Sequence, residues 1–355
     1  AWIKMPRRLE KPAVAFGADL QTAGAVAFDD KAVLTQYIGD LDSFQALEDL
    51  DRELRWLADV YKLRDFHLVC DKNPAYNSVR LCREWGEELG AEVRQVQHHH
   101  AHALAAADGG VDEPFVAVAI DGVGYGEDGA AWGGEVLYVE GTRYVRERHL
   151  PYVPMPGGDL AALRPARMTA AYFHKALGEI PRGLAAYLPG GEAELALVER
   201  ELKSPRAWTS SAGRFLDAVA AALGVAWERT YEGEPAIKLE AAARGGSGLQ
   251  FHAEDQVELF AEAVEAARGG ASVRDVAYSV QLRLGQILGA WACDAAARRG
   301  VGVVAVSGGA AVNDIILRGI AEEISRCGLR LVQHRRAPPG DGGIALGQVY
   351  YAAYL

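Results

Sequence analysis

Four of the nine histidines fall within five residues, in Val96-Gln97-His98-His99-His100-Ala101-His102. The alanine-rich stretch 101–107 favours helix. On a helix, His98 and His102 are four apart and share one face, the spacing that lets two imidazoles reach one metal ion. His99 and His100 then point elsewhere and could meet a substrate phosphate. The clustering favours a metal over a solvated polar turn or packed core histidines. A zinc-protease helix needs Glu directly after the first His, and His99 stands there, so that reading is rejected. Two imidazoles need at least one more ligand. Asp121 and Asp341 both stand in glycine-rich surroundings that suit the role, and spacing alone does not choose between them or an N-cap role for Asp341.

Three further stretches carry possible chemistry. In Asp121-Gly122-Val123-Gly124-Tyr125-Gly126-Glu127-Asp128-Gly129 the glycines suggest a dinucleotide fingerprint, but the next segment reads as strand rather than helix. What remains is a loop whose Gly122, Gly124 and Gly126 amides could cradle phosphate, or a glycine-rich turn. In Val304–Asn313 an apolar run, the pair Gly308-Gly309 and a helix start make either a nucleotide site, with the Asn313 amide on the first turn able to contact a base or ribose, or a close strand-to-helix turn. In Trp208–Val219, Ser210-Ser211 could cap a helix carrying Arg214 and Asp217 on one face. That pair is either a surface ion pair or a phosphate and ribose contact. Arg164 and Arg167, just after Pro156-Gly157-Gly158-Asp159, invite the same two readings.

The elements that must hold these residues come in two similar sets. Ala13–Phe16, Ala23–Phe28 and Ala32–Ile38 read as three antiparallel strands, followed by a helix over Phe44–Val60, a strand at Phe66–Cys70, a helix over Ser78–Leu89 and a strand at Val93–Val96. Phe115–Ile120 opens the pattern again, ending on Asp121 as the first run ends near Asp19, with a hairpin from Ala131–Val139 to Arg143–His149. Strands at Gly302–Val306 and Leu329–Val332 and helices at Ala311–Ser325 and Ile344–Tyr354 close the chain. The expectation is an α/β chain with a two-lobed, actin-like (ASKHA) fold. Its lobes are duplicated βββαβα units over 1–112 and 113–355, with a helical insertion near 160–300 in the second, and nucleotide lies in the cleft between them.

Composition narrows the class. At 355 residues the chain exceeds the usual size of one core, which agrees with two lobes. A net charge of −11 disfavours a nucleic-acid partner. No apolar run reaches membrane-spanning length, and the start does not read as a secretory signal. Cys70, Cys82, Cys293 and Cys327 are scattered without a Cys-x-x-Cys pair, which reads as small buried hydrophobes in a reducing cytoplasm.

Taken in order, these motifs resemble the C-terminal part of the HypF-type hydrogenase maturation carbamoyltransferases. The matching pieces are Ile38–Leu41, Val96–His102, Asp121–Glu135, Pro156–Asp159, Trp208–Val219, Tyr231-Glu232-Gly233, Ser307-Gly308-Gly309 and Asp341-Gly342-Gly343. The wider group is similar to the tRNA threonylcarbamoyltransferases and to antibiotic O-carbamoyltransferases. The resemblance implies transfer of a carbamoyl group from carbamoyl-adenylate, made from ATP, to a C-terminal cysteine of HypE, on the way to the cyanide ligand of [NiFe]-hydrogenase. It implies that His98, His102 and Asp341 hold a divalent metal (iron, zinc or manganese) with Asp121 beside it. It further implies that Gly308, Gly309, Asn313 and Asp217 bind the nucleoside. Two departures stand out. The acylphosphatase, zinc-finger and YrdC-like domains that usually precede this region are not in this sequence, so the donor is expected from a YrdC-like domain or chain, either a separate protein or a removed portion. Gln21 stands where a lysine is expected in the first phosphate loop.

A mixed anhydride is already activated, so the protein need only position it and stabilise developing charge. His99 or His100 would assist deprotonation of the incoming thiol. Competing readings are threonylcarbamoyl transfer to tRNA, small-molecule O-carbamoylation, and a nucleotide-dependent binding module without catalysis.

Overall fold

The computed structural model describes residues 2–106, 108 and 110–355. The first part of the chain comprises β1 (Ile3–Lys4), β2 (Ala13–Ala15), β3 (Ala25–Phe28), β4 (Lys31–Leu34), α1 (Phe44–Val60), β5 (His67–Asp71), α2 (Asn77–Leu89), β6 (Val93–Val96) and α3 (His98–Ala106). The second opens with β7 (Phe115–Tyr125), β8 (Ala131–Glu140), β9 (Arg143–His149) and β10 (Val153–Pro154), then α4 (Asp159–Leu163), α5 (Pro165–Leu177), α6 (Gly191–Lys203), β11 (Trp208–Thr209), α7 (Ala212–Ala222), α8 (Glu234–Ala242), α9 (Gln256–Arg268) and α10 (Val273–Arg299). It ends with β12 (Val303–Ser307), α11 (Asp314–Arg326), β13 (Arg330–Val332) and α12 (Ile344–Ala352).

The duplication is explicit in the sheets. In the first, β4-β3-β2 form an antiparallel meander and β2-β5-β6 are parallel. In the second, β9-β8-β7 form the meander and β7-β12-β13 are parallel. Both therefore share the order third-second-first-fourth-fifth, the actin-like arrangement. Helices occupy most of 159–299, between the second meander and its parallel strands. The short edge strand β1, paired with β4, was not expected, because its two residues carry no periodicity.

The join between the halves is a crossing of two helices. α3 packs on β7, β8 and β12 of the second sheet, while α12 packs on β2, β3, β4 and β5 of the first. They meet where Gly347 lies against Ala101: a Cβ on Gly347 would come within 1.8 Å of the Ala101 carbonyl oxygen. Gln348 ties α12 to the first loop, accepting from Gly17 N at 2.8 Å and donating to Gly17 O at 3.0 Å. The helix expected at 101–107 runs from His98 to Ala106; residue 107 lies outside the described residues. Every residue of α3 is buried, because it is enclosed by both halves at once.

Two expectations need correction. Asp121 to Tyr125 is not a free loop: β7 continues through it, with a register shift between Ile120 and Gly124. Such a bulge re-aims side chains at a strand end. The cysteines are not four separate thiols either. Cys293 on α10 and Cys327 at the end of α11 form a disulfide, while Cys70 and Cys82 are free and buried. Spacing over 34 residues gave no sign of this, because packing of α10 on α11 brings the two together. No helix among the described residues is long and apolar enough to cross a membrane.

Replacing Gly347 with Ala forces a methyl group into the Ala101 backbone, which cannot yield as a side-chain tip would. Urea denaturation is expected to show a loss of about 3 kcal/mol, at the upper end for overpacking.

Candidate metal centre

α3 presents His98 and His102 one turn apart, and the chain brings two carboxylates to them from far away. Asp121 comes from the bulged end of β7 and Asp341 from the turn before α12. One ligand atom from each of the four lies within 4.8 Å of the others. His98 Nε2 is 3.4 Å from Asp121 Oδ2 and 3.8 Å from Asp341 Oδ1; His102 Nε2 is 3.4 Å from Asp341 Oδ1. Both imidazoles are wholly buried, and neither Nε2 has a hydrogen-bond partner. Buried polar atoms without partners are rare and costly. Two orphaned nitrogens and two acids around one point fit a divalent cation, with a ligand set that suits iron, zinc or manganese. Spacing left Asp121 and Asp341 as alternatives; the structure brings in both.

The electrostatics agree. Burial disfavours a charged His98, but Asp341, Asp71 and Asp121 outweigh it and raise its pKa well above the ordinary value. Burial alone would raise the Asp121 pKa; His98 and His102 instead hold it far below the usual carboxylate range. The site therefore attracts positive charge.

The ligands have backing that sequence reasoning missed. Asp71, at the end of β5, accepts from His98 Nδ1 at 2.9 Å, both side chains fully buried. It follows an apolar strand as Asp121 does, and that shared pattern was the available signal. His102 Nδ1 lies 3.5 Å from Ser307 Oγ, which is 2.8 Å from His334 Nε2. Burial lowers the pKa of His334 to about 4.

The other expected residues divide. His99 borders the centre, its ring 5.3 Å from that of His98, and its Nε2 has no partner. Burial first, then His98, lowers its pKa well below the ordinary value. His100 does not face the centre. It is packed beside Tyr144 and Tyr351, with Nε2 3.0 Å from the Gly141 carbonyl, because one helix cannot turn three successive side chains toward one point. Gly122 has open space where a side chain would sit, whereas Gly124 lets the strand pass against His98 and His99 and Gly126 lies against Trp132. Gly308, at φ 102°, lies against the Ile120 backbone, and Gly309 N donates to Asp121 Oδ1 at 3.2 Å.

The remaining candidates for nucleotide contacts meet partners within the protein. The Asn313 amide is not free. Its oxygen caps α11 through Ile315 N and Ile316 N, and its nitrogen donates to Gln281 at 2.7 Å. Arg164 and Arg167 both reach Glu194 Oε1 at 2.7 Å, so one internal carboxylate holds both guanidinium groups. Arg214 and Asp217 form a buried pair at 2.7 Å rather than a surface one. Asp217 Oδ1 remains without a partner, while Ser211 caps that helix and bonds to the Asp121 carbonyl. Gln21, at φ 48°, donates to Glu232 at 3.2 Å, linking the first loop to the segment before α8.

Two matched sheets enclose a buried His–Asp centre. The family model described as "Carbamoyltransferase, Kae1-like Domain, second subdomain" matches residues 117–348, and that for the "HypF Kae1-like domain" matches residues 8–108. The chain belongs to the HypF carbamoyltransferase family. A probable carbamoyltransferase HypF of Methanocaldococcus jannaschii is 33% identical over 98% of this chain and 47% of its own length. A carbamoyltransferase HypF homolog of Cupriavidus necator is 35% identical over 96% of this chain and 91% of its own. Thus the chain spans about half of the first relative and most of the second. The crystal structure of T. kodakarensis HypF matches with a TM-score of 0.90 and 34% identity, covering 99% of this chain and 48% of that one. A full-length HypF in its phosphate- and nucleotide-bound form matches at 0.89 and 25% identity, covering 99% and 47%.

His98→Ala and His102→Ala are each expected to abolish stoichiometric metal uptake, read by elemental mass spectrometry. His100→Phe should retain it. A separate expectation concerns acid. The unfolded chain takes up a proton near pH 6.5 that folded His334 refuses until about 4, so stability falls as pH drops through that window. His334→Gln should flatten that part of a urea-midpoint profile against pH.

Proposed function

We propose that this chain transfers a carbamoyl group from carbamoyl-adenylate to the C-terminal cysteine thiol of HypE, a step toward the cyanide ligand of [NiFe]-hydrogenase. The observation that carries this reading is the buried convergence of His98, His102, Asp121 and Asp341 in a chain of the HypF family. A relative solved in a phosphate- and nucleotide-bound form supports a nucleotide as part of the donor.

The chain's own residues divide the work. His98, His102 and Asp341 would hold the metal, with Asp121 beside it. When bound, the metal supplies Lewis-acid stabilisation of a carbonyl or phosphoryl oxygen. The Gly309 amide and the open side of Gly122 leave room for the donor next to Asp121. Asp217, with one buried oxygen still without a partner, is the remaining candidate for a ribose hydroxyl. The incoming sulfur forms a bond to the carbamoyl carbon and the anhydride C–O bond breaks. AMP departs with the electron pair, and the thiol proton passes to solvent. A YrdC-like protein would supply the carbamoyl-adenylate from carbamoyl phosphate and ATP.

The test combines this chain, a YrdC-like protein, carbamoyl phosphate and ATP with HypE, which is then weighed by mass spectrometry. One added carbamoyl group on the terminal cysteine is expected, and none with the His98→Ala variant. Equal transfer by a verified metal-free variant contradicts the reading.

A further inference from the structure

His99 lies between the two imidazole ligands in sequence, is fully buried, and is the one histidine of the cluster whose Nε2 is orphaned without belonging to the four-residue centre. Its protonation pattern follows from its neighbour Gln97. The Gln97 amide is oriented by two other contacts. Its oxygen accepts from the His100 backbone N–H at 3.0 Å, and its nitrogen donates to the Tyr125 carbonyl at 2.8 Å. The atom facing His99 Nδ1, at 3.4 Å, is therefore that same amide nitrogen. An amide nitrogen only donates, so Nδ1 must accept. A neutral imidazole that accepts at Nδ1 carries its hydrogen on Nε2. A doubly protonated ring would set N–H against N–H.

The Nε2–H so defined has no acceptor among the described residues. It lies beside Gly124, where even a built Cβ would sit 3.0 Å from Nε2 and 2.4 Å from the ring carbon Cε1. Glycine there lets β7 pass against this edge of the ring, where a larger side chain would cover Nε2. Trp132 covers another side, at 5.9 Å between ring centroids. The arrangement is a fixed, buried donor whose ring lies 5.3 Å from that of His98.

We propose that His99 is a catalytic hydrogen-bond donor to the carbamoyl oxygen, with Gln97 as the positioning residue that sets its tautomer. This rests on the carbamoyl-transfer reading above. When sulfur adds to the carbamoyl carbon, the C=O electron pair moves onto oxygen. The Nε2–H of His99 stabilises that oxygen by hydrogen bonding without giving up its proton. The pair returns as the C–O bond to AMP breaks. A preorganised neutral donor of this kind acts where charge develops. The sequence-based expectation that His99 deprotonates the thiol needs a lone pair on Nε2, and Gln97 puts a hydrogen there.

The experiment is long-range 1H–15N correlation of the imidazoles in the 15N-histidine-labelled full chain, with His99→Ala to assign the signal. The Nε2–H tautomer is expected for His99. In the transfer assay, His99→Ala should lower kcat by about 10²–10³-fold, the range for loss of one such donor. His99→Gln, which restores an amide donor, should recover part of it, with metal content unchanged in both. Gln97→Glu should switch the tautomer to Nδ1–H and lower kcat with it. An active wild-type chain whose His99 is in the Nδ1–H form, or whose kcat is indifferent to His99→Ala, overturns the donor role. A wild-type chain with no transfer at all instead sinks the functional reading beneath it, and the tautomer result still separates the two failures.

Discussion

Two imidazole nitrogens and two carboxylates aimed at one buried point, with no protein donor or acceptor between them, are the constraint from which the rest follows. Such a cluster is unfavourable without a cation, since buried charge and unpaired polar atoms both cost free energy. The fold holds it open by over-determining its position. Asp121 sits on a bulged strand, Asp341 on a turn packed near Gln21, and both imidazoles on a helix that has no exposed face. The Gly347–Ala101 crossing allows that helix to be enclosed by both halves, and it makes the candidate metal centre part of the interlobe core rather than a surface addition.

The support of the two imidazoles is unequal. His98 is fixed by a fully buried carboxylate from the first sheet, Asp71, whereas His102 meets a neutral hydroxyl at longer range, backed by His334. Hydrogen bonds from the second ring nitrogen set orientation and basicity in metal-bound histidines. Since Asp71 belongs to one sheet and α3 packs on the other, the same contact that orients His98 also joins the halves. Chemistry and architecture share one set of bonds here.

Much of this was legible in the sequence because it is local. The i, i+4 histidines, the glycine-flanked aspartates and the two meander patterns each announce themselves within a dozen residues. What was not legible depends on tertiary placement. Nothing near Asn313 shows that Gln281 takes its amide, nothing near Arg164 and Arg167 points to Glu194, and the Cys293–Cys327 disulfide joins helices by packing alone. His100 reads like its neighbours in the chain and differs only in the direction its helix turns it. Asp71 was the recoverable omission, since an acidic residue closing an apolar strand is the signature that found Asp121.

The most direct test of the account is X-ray absorption at the edge of whichever divalent metal the protein takes up one-to-one. The account predicts a first coordination sphere of two imidazole nitrogens with the remainder oxygen. Sulfur in that sphere, or no stoichiometric metal at all, would contradict it.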